Sequence, residues 1–288
     1  MLTKEVSQKY FNDALTSVHA TRARSLFETC WALTKQCDLT ISSLGRHRDG
    51  EAYVKHKIKS VDRLIGNGNL YDEIGLIYKE FFQPFVACLP ELYIIVDWSG
   101  CCRDDFHVLR ASLVRNGRSV TIYNETHPQE KLGNREVHKQ FLSNLKKQIQ
   151  SGKKVVVITD AGFATPWFHA VLKLGWDYVG RLNGDTKLLF DKRPRWMRTK
   201  NLYKKASNRV RYEGSSVIGR SSSTPVEGNI YSYKKHPKNR KGKSKYPDVN
   251  KQYSKANKRP WIIATSLKNT KFGGKFIIDS YKNRMQIE

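Results

Sequence analysis

Two aspartates each close an apolar run: Asp97 follows Tyr93-Ile94-Ile95-Val96, and Asp160 follows Val155-Val156-Val157-Ile158-Thr159. A carboxylate at the end of a buried strand is costly unless a cation, a donor or a metal compensates it. One such residue alone reads as a cap. Two of them on neighbouring strands can converge, and their mutual repulsion then favours hard divalent cations bound through oxygen. A third acidic residue stands far along the chain, where Tyr281, Arg284 and Glu288 are spaced i, i+3 and i+7 and share one helical face. Three carboxylates holding two Mg2+ ions (or Mn2+ in their place) about 3.5–4 Å apart stabilise both the attacking and the leaving oxygen of a displacement at phosphorus. In that scheme Asp97, Asp160 and Glu288 are the catalytic metal ligands. Arg284 holds a DNA phosphate and Tyr281 positions it, contacts that fix a backbone without reading its sequence.

The elements that must carry these residues are legible as apolar runs. Strands are predicted at Tyr93–Val96, Phe106–Val114, Ser119–Tyr123 and Val155–Thr159, with Gly117-Arg118 as the turn between the second and third. Val137, Phe141 and Leu145 fall four apart and predict a helix before the fourth strand. Another helix begins near Pro166, since proline is favoured in a first turn. Three strands in hairpin succession, a crossover helix and a parallel strand describe an α/β, ribonuclease-H-like (retroviral-integrase-like) core.

Ahead of this core, residues 1–88 read as a helical DNA-binding region. Helical segments are expected at Val18–Leu33 and Leu39–Leu44. In a third, Val54, Ile58, Val61 and Ile65 form one apolar stripe, while Lys55, Lys59 and Arg63 form a basic row on another face. That combination suits a helix-turn-helix reader of DNA. It also fits a solvated amphipathic helix in an all-α domain.

Charge is the loudest compositional feature: 52 Lys+Arg against 26 Asp+Glu, a net +26. Such an excess implies a polyanionic partner, nucleic acid first and an anionic membrane surface second. Residues 183–260 hold 22 Lys/Arg and 5 Asp/Glu, and Lys234 to Arg259 alone holds eleven basic residues, with Tyr231, Tyr233, Tyr246, Tyr253 and Trp261 interleaved or just beyond. The stretch reads as a β-rich basic insertion whose lysines neutralise phosphates while aromatics pack or stack on bases; a solvated loop with incidental tyrosines is the alternative. The core thus divides into 89–182, the insertion 183–260, and 261–288 with the last strand and a Glu-bearing helix. With 39% hydrophobic residues the chain is no disordered polycation. No run reaches the roughly 18 apolar residues of a membrane span, and the N-terminus lacks the apolar segment of a secretory signal, so a cytoplasmic, nucleoid-associated protein is expected. Cys30, Cys37, Cys88, Cys101 and Cys102 contain no C-x-x-C pair and indicate neither disulfides nor zinc.

The segments VDWSG at Asp97, TDAGF at Asp160 and YKNRMQIE at 281–288 resemble the three carboxylate motifs of bacterial insertion-sequence DDE transposases, in the branch marked by Y-x2-R-x3-E-x6-K. LTISSLGR, KSVDRLIGN, DAGFATPWF, LGWDYVGR and RPWIIATSL agree as well, so the resemblance spans nearly the whole chain. It implies Mg2+-dependent, cut-and-paste movement of an element bounded by terminal inverted repeats, through a hairpin intermediate, with double-stranded terminal-repeat and target DNA as partners and a homodimer in the synaptic complex. It further implies that Trp261 stacks on a flipped base; the same residue also reads as a core aromatic of the strand. The sequence ends on Glu288, without the signature's Lys or the dimerising region beyond it. The expectation is therefore a product that binds DNA and cuts poorly, alternatively a non-catalytic fragment that inhibits the full-length enzyme. An RNA-binding basic protein would explain the charge, though not the three carboxylates.

Overall fold

The computed structural model describes residues 3–101, 105–115, 117–149, 152–219, 224–235, 259–269 and 271–286. The chain divides into two compact units, Met1–Cys88 and Leu89–Glu288. Cys102, most of the basic run at 236–258 and Glu288 lie outside the described residues. Among those described, no helix is long and apolar enough to cross a membrane.

The first unit consists of helices α1 (Lys4–Ala14), α2 (Ala20–Leu33), α3 (Ile41–His47), α4 (Val54–Ile65) and α5 (Gly68–Ala87). Side-chain oxygens of Thr3, Thr40 and Asn67 accept backbone N–H groups at the starts of α1, α3 and α5, satisfying donors that a helix start leaves orphaned. Leu15, Val18 and Ala23 form a small core with Phe11, Leu26, Ile77 and Phe81 packed around it. Helices α3 and α4 meet almost backbone to backbone, since a Cβ on Gly45 would lie 2.6 Å from the Ile58 Cα. The stripe expected on α4 is only half correct. Val61 and Leu64 are buried, whereas Val54 and Ile65 are 49% and 42% exposed. Helix α4 packs on α2 and on the seven-residue α3, whose Gly45 meets Ile58, and its buried residues lie C-terminal of that contact at Val61 and Leu64. Lys55, Lys59 and Arg63 are exposed on the opposite side.

The second unit is built on one ten-stranded sheet in the order β3-β2-β1-β4-β5-β10-β9-β8-β6-β7. Strands β1 (Glu91–Cys101), β2 (Phe106–Arg115) and β3 (Arg118–Pro128) form an antiparallel meander; Gly117, at φ +81°, makes the β2–β3 turn. Helix α6 (Arg135–Gln148) crosses over to β4 (Lys154–Thr159), which pairs parallel with β1, and α7 (Thr165–Lys173), with proline in its first turn, leads to the parallel β5 (Asp177–Arg181). This mixed α/β arrangement is consistent with a ribonuclease-H-like domain. The described part of the basic stretch continues the same sheet as β6 (Lys187–Phe190), β7 (Arg193–Arg198), β8 (Arg211–Ile218) and β9 (Val226–Tyr233). Strand β10 (Trp261–Thr265) joins that extension antiparallel to β5, and α8 (Gly274–Lys282) follows.

The α8 face of the sheet is a core of Ile95, Val156, Ile158, Val179, Tyr231 and Ile263 against Ile277, Ile278 and Tyr281. Because side chains alternate along a strand, Ile94, Val96, Val155 and Val157 face the opposite side, toward α6 and α7. Each central strand is therefore buried on both faces, which is why these runs are continuously apolar.

Candidate active site

Strands β1 and β4 run parallel with Ile95 beside Ile158 and Val96 beside Thr159. Asp97 follows within β1, paired with Arg110 of β2, and Asp160 is the first residue past β4. Alternation from Ile95 and Ile158 turns both toward the α8 face. Each carboxylate is oriented by local backbone: Trp98 N–H donates to Asp97 Oδ1 at 3.1 Å, and Gly162 N–H donates to Asp160 Oδ1 at 2.7 Å.

Helix α8 brings the cationic partner. Past its C-terminal end, in a 3-10 turn over Asn283–Gln286, Arg284 donates from Nη1 to Asp97 Oδ2 at 2.8 Å. Both side chains are less than a fifth exposed. One turn earlier Tyr281 is 2% exposed, with Trp261 packed edge-on at 4.9 Å. Burial raises the Tyr281 pKa; Arg284 and Arg181 oppose the rise and Asp160 adds to it. Tyr281, Arg284, Arg181 and Asp160 thus form one electrostatic neighbourhood. Arg181 ends β5, beside β4. Residue-level reading did not single it out, although it stands in the LGWDYVGR segment.

The sequence assigns Arg284 to a DNA phosphate and Tyr281 to positioning it. Arg284 here donates to Asp97, a carboxylate that also faces Arg110 across the β1–β2 register. Tyr281 is packed under Trp261 instead of being open to a phosphate, because it lies on the face of α8 that supplies Ile277 and Ile278 to the core. Trp261 itself is half-buried, flanked by Tyr233 at 5.9 Å and by Lys235 Nζ 5.6 Å from its ring centre. Lys55, Lys59 and Arg63 belong to the other unit.

Among the described residues no group of three His, Cys, Asp or Glu is placed to hold a metal ion. The donor chemistry of the two aspartates nevertheless fits a hard divalent cation. They are two oriented carboxylates, one within β1 and one just past the end of β4, and one already takes a guanidinium as counter-charge.

A second feature lies on the other face of β1. Trp98 donates its indole N–H to His138 Nε2 at 3.0 Å. His138, on α6, is 6% exposed, and burial, with His127 adding to it, lowers its pKa to about 4. The helix buries His138, Phe141, Leu142 and Leu145, so two of the three expected residues, Phe141 and Leu145, are in the core, while His138 takes the place expected of Val137.

The family described as Transposase DDE domain matches residues 95–288. No curated protein matches the chain. Among solved structures, Marinitoga piezophila Argonaute in complex with a 5′-OH guide RNA matches 95% of this chain at 13% identity. That match has a TM-score of 0.31, and the chain spans 46% of the Argonaute chain's length.

Proposed function

Since the chain belongs to the DDE transposase family, we propose that it catalyses metal-dependent cleavage and transfer of DNA strands at the ends of a mobile element. The observation that supports this reading is the parallel β1–β4 register, which ends with Val96 beside Thr159, one residue before each aspartate, with Arg284 donating to Asp97. Asp97 and Asp160, with Glu288 from the end of the chain, would hold two divalent cations. When bound, these supply Lewis-acid stabilisation of the attacking and leaving oxygens. Water attacks a phosphodiester and frees a 3′-hydroxyl, which then attacks the opposite strand to close a hairpin and release a second 3′-hydroxyl.

The protein's own groups orient this chemistry. Trp98 N–H and Gly162 N–H fix one oxygen of each aspartate. Arg284 has a guanidinium able to move from Asp97 to a phosphate once the carboxylates are otherwise neutralised. Tyr281 is a positioning residue for Arg284, held beneath it by Trp261 and the α8 core. Trp261 is half-buried, and its packing against Tyr281 supports a core role at least as well as base stacking. The exposed row Lys55, Lys59 and Arg63, and the basic strands beyond β10, would neutralise duplex phosphates.

The test is Mg2+-dependent nicking of duplexes carrying the element's terminal repeats, comparing the chain with Asp97→Asn and Asp160→Asn. Cleavage that requires Mg2+ and is lost in both variants supports the reading. Metal-dependent nicking retained in both would overturn it.

A further inference from the structure

We propose that His138 is a positioning residue for both aspartates: it clamps Trp98, next to Asp97, and Phe163, three residues past Asp160, into one layer beneath the carboxylates. The proposal rests on Asp97 and Asp160 being the cation-binding pair.

Neighbouring residues on a strand point to opposite faces, so Asp97 faces α8 while Trp98 faces α6. The two are also joined directly, because the Trp98 backbone N–H is the donor that orients Asp97 Oδ1. Any shift of Trp98 is therefore felt at the carboxylate. On its own face Trp98 is held by the indole N–H bond to His138 Nε2, with the rings of His127 and His107 edge-on at 5.7 and 6.5 Å.

The other side of His138 reaches the second aspartate. Its ring stacks on Phe163 with centroids 5.1 Å apart and planes 26° apart, and meets Trp167 edge-on, also at 5.1 Å. Phe163 and Trp167 are themselves 4.6 Å apart, and both are at most 3% exposed. The turn from Asp160 to Phe163 is thus pinned twice, by the Asp160–Gly162 hydrogen bond and by Phe163 beneath it. Strands β1 and β4 are already paired through Val96 and Thr159. Beyond that register Asp97 and Trp98 are held by strand pairing on one side only, by Arg110 and Leu109 of β2, and Asp160 lies past the end of β4; His138 braces both segments from the α6 face.

The chemistry also explains why the wedge is an imidazole. Phenylalanine would fill the space, but it would strand the indole N–H and leave Trp98 free to turn. Imidazole fills the space and accepts that hydrogen bond. The acceptor must be the neutral ring with its proton on Nδ1 (the only tautomer that presents a lone pair at Nε2), consistent with the lowered basicity of His138.

The test uses Mn2+ alone as probe on the metal-free chain, with affinity read by electron paramagnetic resonance. His138→Phe keeps the ring and is expected to weaken Mn2+ binding about 10–100-fold, the usual loss when the support of a metal ligand is removed. His138→Gln, which restores an acceptor, is expected to recover most of it. In the unsubstituted chain the Trp98 indole N–H resonance, assigned with Trp98→Phe, is expected to shift as Mg2+ is added. A purely structural residue would predict neither the rescue nor the shift. Unchanged Mn2+ affinity in His138→Phe, with binding abolished in Asp97→Asn, would refute the positioning role and leave the carboxylate pair standing. Mn2+ binding unaffected by Asp97→Asn and Asp160→Asn would refute the carboxylate pair itself. Should His138→Phe not fold, a Trp98 resonance indifferent to Mg2+ is the refuting result.

Discussion

Replacing Arg284 with glutamine should tighten metal binding while weakening DNA binding. Arg284 Nη1 sits 2.8 Å from Asp97 Oδ2, with side-chain exposures of 16% and 13%. At that burial the pair is worth more than the 0–1 kcal/mol of a solvated surface pair. A charge-assisted hydrogen bond contributes about 1.5–3 kcal/mol. A cation that takes Asp97 Oδ2 must first release the guanidinium, so its apparent affinity carries that cost. Removing the competitor should strengthen Mn2+ binding by roughly 10–100-fold, at about 1.4 kcal/mol per factor of ten. The variant should also melt at a lower temperature, because the half-buried Asp97 loses the guanidinium's charge, and Mn2+ should restore more of the loss than it adds to the unsubstituted chain. Calorimetric Mn2+ titration, paired with melts with and without Mn2+, reads both effects; Arg284→Lys, which keeps the charge, should change little. On duplex DNA the sign reverses: affinity falls and the salt dependence of log K flattens by about one phosphate contact. Mn2+ affinity in Arg284→Gln equal to or weaker than that of the unsubstituted chain would show that the ion pair does not compete with the cation.

Other perturbations test the frame around the site. A Cβ on Gly180, beside Thr159 in the β4–β5 register, would lie 2.3 Å from Phe168 Cε1, and the Phe168 ring is itself stacked on Tyr178 at 4.5 Å. Gly180→Ala should cost about 1–3 kcal/mol in urea unfolding, with part recovered by adding Phe168→Leu; a loss under about 0.5 kcal/mol would mean the ring is not confined. Gly45→Ala places its Cβ against Ile58 backbone, which no rotamer change relieves. It should destabilise the Met1–Cys88 unit by about 1–3 kcal/mol without altering Mn2+ affinity, and an unchanged urea midpoint for that unit would contradict the close helix contact. For His138 the folded pKa is depressed from its ordinary 6.5 to about 4. Its contribution is therefore complete above pH 6.5 and is lost as pH falls toward 4, at most roughly 3 kcal/mol in all. The charged or polar groups that act on it are His127, itself paired with Glu125 at 3.0 Å, and the Trp98 indole N–H. Urea midpoints between pH 7 and 4 should fall less steeply in His138→Gln, and parallel slopes would refute the assignment.

The sequence by itself determined which segments form the central strands and helices, though not their ends: β1, expected over 93–96, runs Glu91–Cys101, and β3, expected over 119–123, runs Arg118–Pro128. Continuous apolar runs marked β1 and β4, the Gly117-Arg118 pair marked a hairpin, and Pro166 marked the start of α7. Those signals are local: backbone preference and apolar period are written within a few residues. The motifs around Asp97 and Asp160 were likewise legible, as was the basic character of the stretch that extends the sheet beyond β10.

Only the tertiary structure decided which groups meet. Arg284 and Asp97 are 187 positions apart, and Trp98 and His138 are 40 apart. Nothing in the spacing of either partner specifies the other. The same holds for Tyr281, whose helical spacing put it beside Arg284 and whose burial came from β10 supplying Trp261 above it. It holds again for α4, where periodicity outlined a stripe and the short α3 set how much of it was covered. Periodicity tells a side chain which face of its own element it occupies. Strand register and helix docking, fixed by packing between distant segments, decide what that face touches, and a site made of opposed charges depends on that second choice.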